Sequence, residues 1–167
     1  MSDLVFLDTE TTGLSADRDR IVELAIVAAD GRSLFDSLLD PRIAIPADAT
    51  RIHGIDAGQV CGKPTFEDVW PQVRTILAGA TVVIYNAAFD RAFFPDRLAC
   101  AAAVECAMRR YRRLPDTWGR GNSTLSAAAA RANHTWSGNA HRALADTLAA
   151  RTVWFYLDSL GVPRVAA

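Results

Sequence analysis

Lysine is almost absent from this chain: Lys63 stands alone against seventeen arginines. Such a bias favours forked contacts to phosphate and carboxylate, but a GC-rich genome produces it too, and the genomic reading carries the greater weight. Cysteine is also scarce. Cys61, Cys100 and Cys106 form no close metal-binding pair and sit among apolar neighbours, so reduced thiols in a cytoplasmic protein are expected. No apolar run approaches a membrane span; the longest, Leu98 to Val104, is far too short. The first residues carry Asp3 and no cationic start, unlike a signal peptide. An excess of charge is missing as well. The net charge of -1 excludes a broadly basic nucleic-acid clamp, though not a nucleic-acid enzyme, because bound cations can supply positive charge where phosphate sits. Internal repeats, low-complexity tracts and linkers are not found. The 167 residues are therefore expected to form a single domain.

What is present is a strong pattern of strands followed by helices. "LVFL" (residues 4–7) reads as a buried strand, and "RIVELAIVAAD" as a second. Asp30-Gly31 turns the chain into "SLFDSLLD", which completes an antiparallel meander. Thr65 and Asp68 form a capping box for a helix that Pro71 should kink or delay. "TVVIY" is a fourth, wholly apolar strand. Asn86 caps a short helix ended by Pro95, and "AAAVECAM" leans towards a fifth strand. Helices from Ser123 to about Ala132 and from about Arg142 to Leu160 follow. The expected architecture is an α/β sandwich on one five-stranded mixed sheet with flanking helices.

The first strand ends oddly, in "DTETTGL". Side chains on a strand alternate faces, so Asp8 and Glu10 lie side by side, where like charges repel. Further acids fall where they can join this pair. Asp90 shares a helix face with Asn86 just beyond the fourth strand. Asp146 interrupts a largely apolar helix, five residues after His141. Five is not a same-face spacing, so the two can meet only if His141 lies in the preceding loop and points back. Taken singly, each residue has an ordinary reading as a cap or a surface group. Their joint occurrence is what points to a site.

"FLDTETTGL", "NAAFD" and "HRALADT" together resemble the three motifs of the DnaQ-like DEDDh 3′→5′ exonucleases, the family of the proofreading epsilon subunit of DNA polymerase III. The "IHGI" segment, Ile52 to Ile55, is similar to a substrate-side loop of that family. The resemblance implies a ribonuclease H-like fold. It also implies that Asp8, Glu10, Asp90 and Asp146 are metal-binding acids and that His141 is the general base. Oxygen ligands of this kind suit two divalent cations, Mg2+ or Mn2+, which serve in-line phosphodiester hydrolysis with Glu10 at the catalytic centre.

The same resemblance implies that the Thr11 backbone N–H meets the terminal 3′-hydroxyl and that Leu14 wedges against the last base. Asn86, His53 and Phe89 are candidate nucleotide contacts; stacking on Phe89 competes with ordinary core packing of that ring. "RRYRR", Arg109 to Arg113, either tracks the phosphate backbone or forms a solvated helix face. The "LPDTWGRG" loop around Trp118 is a candidate flap. The expected partners are nucleic-acid 3′ ends, single-stranded or frayed, with DNA favoured over RNA because "DTETTG" is closer to the proofreading pattern. The chain stops soon after the third motif, so a stable polymerase partner is not expected. Two alternatives stay open: an exoribonuclease of the same family, and a non-catalytic nucleic-acid- or protein-binding module on the same fold.

Overall fold

The computed structural model describes residues 3–117, 122–136 and 140–164. Five strands form one sheet: β1 (Leu4–Thr11), β2 (Ile21–Ala28), β3 (Ser33–Leu38), β4 (Thr81–Ile84) and β5 (Ala103–Cys106). Their order is β3-β2-β1-β4-β5. The expected meander is present, with β1–β2 and β2–β3 antiparallel, while β4 and β5 add in parallel beside β1. At the β2–β3 hairpin, Gly31 adopts φ +92°, a left-handed conformation open to glycine at little cost. Central position explains the apolar strands: Val5, Phe6 and Leu7 of β1 and Val82, Val83 and Ile84 of β4 are buried on both faces.

Seven helices accompany the sheet among the described residues: α1 (Ala47–His53), α2 (Ala57–Val60), α3 (Phe66–Leu77), α4 (Ala87–Asp90), α5 (Ala107–Tyr111), α6 (Leu125–Arg131) and α7 (Ala143–Ser159). The expected fifth strand is real but shorter than "AAAVECAM", since Ala107 and Met108 already belong to α5. The capping box at Thr65 forms in both directions. It holds the start of α3 at Phe66 despite Pro71, so the expected delay does not occur. Pro71 and Glu67 are both exposed, and water can meet the carbonyl that the proline leaves unbonded.

The two faces of the sheet are covered differently. On one, Val69, Val73 and Leu77 of α3 pack over Val5, Leu7, Val82 and Ile84. On the other, α7 lies across β1 and β2 and presents Ala149, Ala150 and Val153 to Phe6, Val27 and Val83. Alanines at the contact allow a close approach, which brings the first turn of α7 down onto the end of β1. Full burial of Val153 and Leu157 contributes about 1.5–3 kcal/mol each. The "RRYRR" run does not form one basic face. Arg110 is buried, stacks over Trp154 at 4.4 Å, and bonds Val162 O, Trp154 O and the Asp158 carboxylate. Arg112 donates to Ser123 Oγ at 2.9 Å. Of the candidate flap, residues 114–121, the part from 118 to 121 that contains Trp118 lies outside the described residues.

Candidate active site

On β1 the even positions face α7. Phe6 sits in the α7 layer, and Asp8 and Glu10 continue its row beyond the covered part of the sheet. The register shifts between Glu10 and Thr11, an irregularity immediately after the second acid, beyond which Thr11 pairs with Ile21. Asp146 lies in the first turn of α7 and is buried against this corner. One carboxylate oxygen from each of Asp8, Glu10 and Asp146 lies within 4.8 Å of the other two. Asp90 ends α4, just past β4, and its Oδ1 accepts the Thr9 hydroxyl at 2.8 Å. The structure thus brings three of the four expected acids into one cluster and places Asp90 at its edge.

Among the described residues no arginine forms an ion pair with these four acids, and the charge of Arg142 offsets the rise of Glu10 only in part. Burial pushes the Asp8 carboxyl well above its ordinary range, and Asp90, Asp146, Glu10 and Glu23 add to the rise. Burial and the charges of Asp146 and Glu23 lift Glu10 from 4.5 to about 8. Asp90 is raised by burial to about 7, against the lowering hydrogen bond from Thr9. Asp146 is raised too, again by burial, although the His141 N–H opposes the shift. Crowded oxygen donors that resist ionisation are the donor set a hard divalent cation neutralises.

His141 occupies the loop before α7 with φ +62°, and its backbone N–H donates to Asp146 Oδ1 at 3.1 Å. The loop position resolves the five-residue spacing. The acid and the histidine meet through backbone, and the imidazole stays exposed.

Beside the acids lies a cleft of about 450 Å³. Its lining includes Glu10, Thr11, Leu14, Ile52, His53 and Phe89, so the motif-one loop, the "IHGI" segment and Phe89 converge as expected. Leu14 is 87% exposed, which removes core packing as its explanation. The loop that carries it is tightly held: Asp19 accepts from Thr12 Oγ1 and Ser15 N, and a Cβ at Gly13 would meet the Asp19 carboxylate at 2.6 Å. Thr11 donates its hydroxyl to Gly13 O at 2.7 Å. The buried His53 ring accepts Ile55 N–H at Nδ1, which leaves Nε2 as the donor, shielded and without a hydrogen-bond partner. Burial lowers its pKa against the raising influence of the Thr11 backbone. Phe89 lines the cleft, and its ring packs at 5.2 Å on Phe93.

Asn86 stands at the N-cap of α4 but its side chain makes no capping bond, contrary to expectation. With ψ at 68° it leaves the helix N–H groups of Phe89 and Asp90 to its own carbonyl, and the residue is exposed.

Two residues at this corner escape a reading of the motifs. Glu23 pairs across from Glu10 on β2 and is buried. It is matched by Arg142, whose Nε and Nη2 reach it at 3.1 and 2.6 Å, and by the Ala143 N–H at 2.8 Å. An acid inside the otherwise apolar "IVELAIVA" is the signal that could have revealed it.

The RNase T exonuclease family model matches residues 5–153, which span all three acidic motifs. The chain belongs to the DEDDh exonucleases. This DEDDh exonuclease is 35% identical over 163 residues to an uncharacterized exonuclease of Escherichia phage 186, covering 86% of the chain and 82% of the phage protein. It is 36% identical over 95 residues to the DNA polymerase III epsilon subunit of Treponema pallidum, covering 55% of the chain but only 44% of that subunit. Among solved structures, Exonuclease X in complex with 5′ overhanging duplex DNA superposes with a TM-score of 0.75 at 30% identity, covering 95% of this chain and 93% of the other. The nuclease domain of 3′hExo, a DEDDh family member bound to rAMP, shares the ribonuclease H-like fold, with a TM-score of 0.77 at 14% identity and coverage of 99% and 96%. No described helix of this exonuclease is long and apolar enough to cross a membrane.

Proposed function

We propose that this exonuclease removes nucleoside monophosphates one at a time from nucleic-acid 3′ ends, single-stranded or frayed, with DNA preferred. The observation that carries the reading is the acid cluster abutting a cleft that exposes a wedge, Leu14, and has His53 in its wall. The 30% identity to a structure captured on DNA supports the choice of sugar.

Asp8, Glu10, Asp90 and Asp146 fit two divalent cations, Mg2+ or Mn2+, by their donor chemistry and their resistance to ionisation. Such cations, when bound, supply the positive charge that stabilises phosphodiester displacement and make water acidic enough to deprotonate near neutral pH. The chain's own residues do the rest. The exposed His141 imidazole takes a proton from the attacking water, in a position fixed through the N–H bond to Asp146. Water oxygen bonds to phosphorus as the bond to the preceding nucleotide's 3′ oxygen breaks. The Thr11 backbone and His53 hold the terminal sugar, Phe89 and Asn86 border it, and Leu14 separates the last base from its neighbour. Glu23 and Arg142 keep the first turn of α7 in place.

The test is a 5′-labelled ladder assay on single-stranded DNA, duplex DNA with a mispaired 3′ end and RNA of matched sequence, with EDTA and Asp8→Ala controls. Stepwise 3′ shortening that requires metal and Asp8 is expected, fastest on the DNA lanes. Faster loss of the RNA lane would replace DNA by RNA in the proposal; no shortening in any lane would leave a binding module.

A further inference from the structure

The wall that carries Asp90 has a second side. On it is a cavity of about 260 Å³ lined by Ala88, Arg91, Ala92, Arg97, Cys106 and Arg109. Three arginines and no acidic residue line it, on a chain whose net charge is -1. Among the described residues, neither Arg91 nor Arg97 has a carboxylate within ion-pair distance. The Nε of Arg91 is closed off from water and has no hydrogen-bond partner. A shielded guanidinium nitrogen without an acceptor is costly to keep, and the backbone beside it is strained. Asp96, Arg97 and Leu98 take φ values of 47°, 50° and 65° in succession, a left-handed run built without glycine.

The location relates this cavity to the cleft. Phe89 lines the cleft, Asp90 joins the acid cluster, and Ala88 and Arg91 line the cavity, so four consecutive residues separate the two spaces. Arg109 comes from α5, which leaves the carboxyl end of β5, the parallel neighbour of β4, at the same end of the sheet as the acids. The alanines at 88 and 92 keep the floor open, and three guanidiniums suit a phosphate through forked charge-assisted bonds.

We propose that Arg91, Arg97 and Arg109 form a phosphate subsite that takes a backbone phosphate of the substrate strand upstream of the scissile bond. The proposal rests on the exonuclease reading above. A strand whose terminal nucleotide fills the cleft then passes the acids and is gripped again on the far side of α4. A free phosphate or mononucleotide presents the same chemistry; lying within reach of the path of the strand favours the backbone phosphate.

The test compares kcat/KM for a DNA decamer with that for the p-nitrophenyl ester of a nucleoside 5′-monophosphate, which is too short to reach the cavity. The variants are Arg97→Gln/Arg109→Gln and the corresponding double change to Glu, both at exposed positions, with Arg91 kept to protect the fold. The decamer-to-ester ratio is expected to fall at least tenfold through KM, more for Glu than for Gln. The slope of log KM against log salt should become shallower by about one. A ratio within twofold of wild type overturns the subsite. So does a ratio that holds while inhibition by added inorganic phosphate weakens, since the cavity would then serve free anions. Wild-type enzyme that cleaves neither substrate sinks the exonuclease reading itself, and the subsite with it.

Discussion

Arg142 grips Glu23 with Nη2 2.6 Å from Oε1, and so this guanidinium at the acidic corner is committed to an acid outside the metal-type cluster. The pair also joins β2 to the start of α7, because Glu23 accepts the Ala143 N–H with its other oxygen. Removing the arginine leaves a buried carboxylate half-satisfied. Arg142→Ala should cost about 2–3 kcal/mol, less than a fully buried pair because the arginine side chain is 39% exposed. Glu23→Gln, which keeps an acceptor for Ala143, should cost less than Glu23→Ala. Urea unfolding of the three variants checks the order; equal costs would mean the helix start does not depend on this clasp.

Asp8→Ala removes a charge that its neighbours oppose. Cleavage should fall by at least about 10³-fold, as expected when a ligand of the catalytic cations is lost. The metal-free variant should melt no lower than wild type at pH 8, because repulsion from Asp90, Asp146 and Glu10 is relieved. A substantially lower metal-free Tm would contradict the crowding described here.

Metal-free stability should depend on pH in a definite direction. The folded pKa of Glu10 lies at about 8 against 4.5, and that of Asp90 at about 7 against 3.8. Groups raised on folding hold their protons better in the folded chain, so their stabilising contribution is full below about pH 4 and disappears as pH rises through 7 to 8. Tm without metal should therefore fall between pH 5 and 8. The increment in Tm produced by Mn2+ should grow over the same interval, since binding no longer competes with protons. Scanning calorimetry across this range, with and without Mn2+, is the check; a metal increment that shrinks towards pH 8 would refute it.

His141→Ala separates the proposed base from the proposed ligands. Turnover should drop about 10²–10⁴-fold, while Mn2+ titrated by calorimetry still binds, because the contact to Asp146 is made by the backbone N–H, which alanine retains. Abolished binding would make the imidazole a ligand.

Leu14→Ala tests the wedge. At 87% exposure the side chain contributes little to folding, so stability should stay within about 0.5 kcal/mol, whereas KM for oligonucleotides should rise several-fold. Unchanged KM would return Leu14 to an incidental surface residue.

The acids were legible in the sequence through their joint occurrence: a two-residue spacing on β1 and an acid in an apolar helix have ordinary readings singly, but not together with Asp90 and in that order. The order of strands was legible through apolar runs and one Asp-Gly turn. What stayed hidden depends on who sits opposite. Arg110 reads as part of a basic run, yet Trp154 and Asp158, more than forty residues away, turn it into a core residue. Asn86 reads as a cap, but in a helix as short as α4 the carbonyl at the same residue satisfies the first amides. Glu23 reads as one acid among many until β1 and β2 pair and set it across from Glu10.

Docking of α7 on β1 and β2 has a consequence in time as well as in space. The acids come from residues 8 and 10, then 90, then 146, and α7 closes the cluster only when it packs across the two strands that were made first. A chain emerging from the ribosome folds as its pieces become available. Until Asp146 and His141 have been synthesised and seated, the nascent protein holds a sheet and three of its four acids. It is therefore born inert towards the nucleic acid that surrounds it during translation.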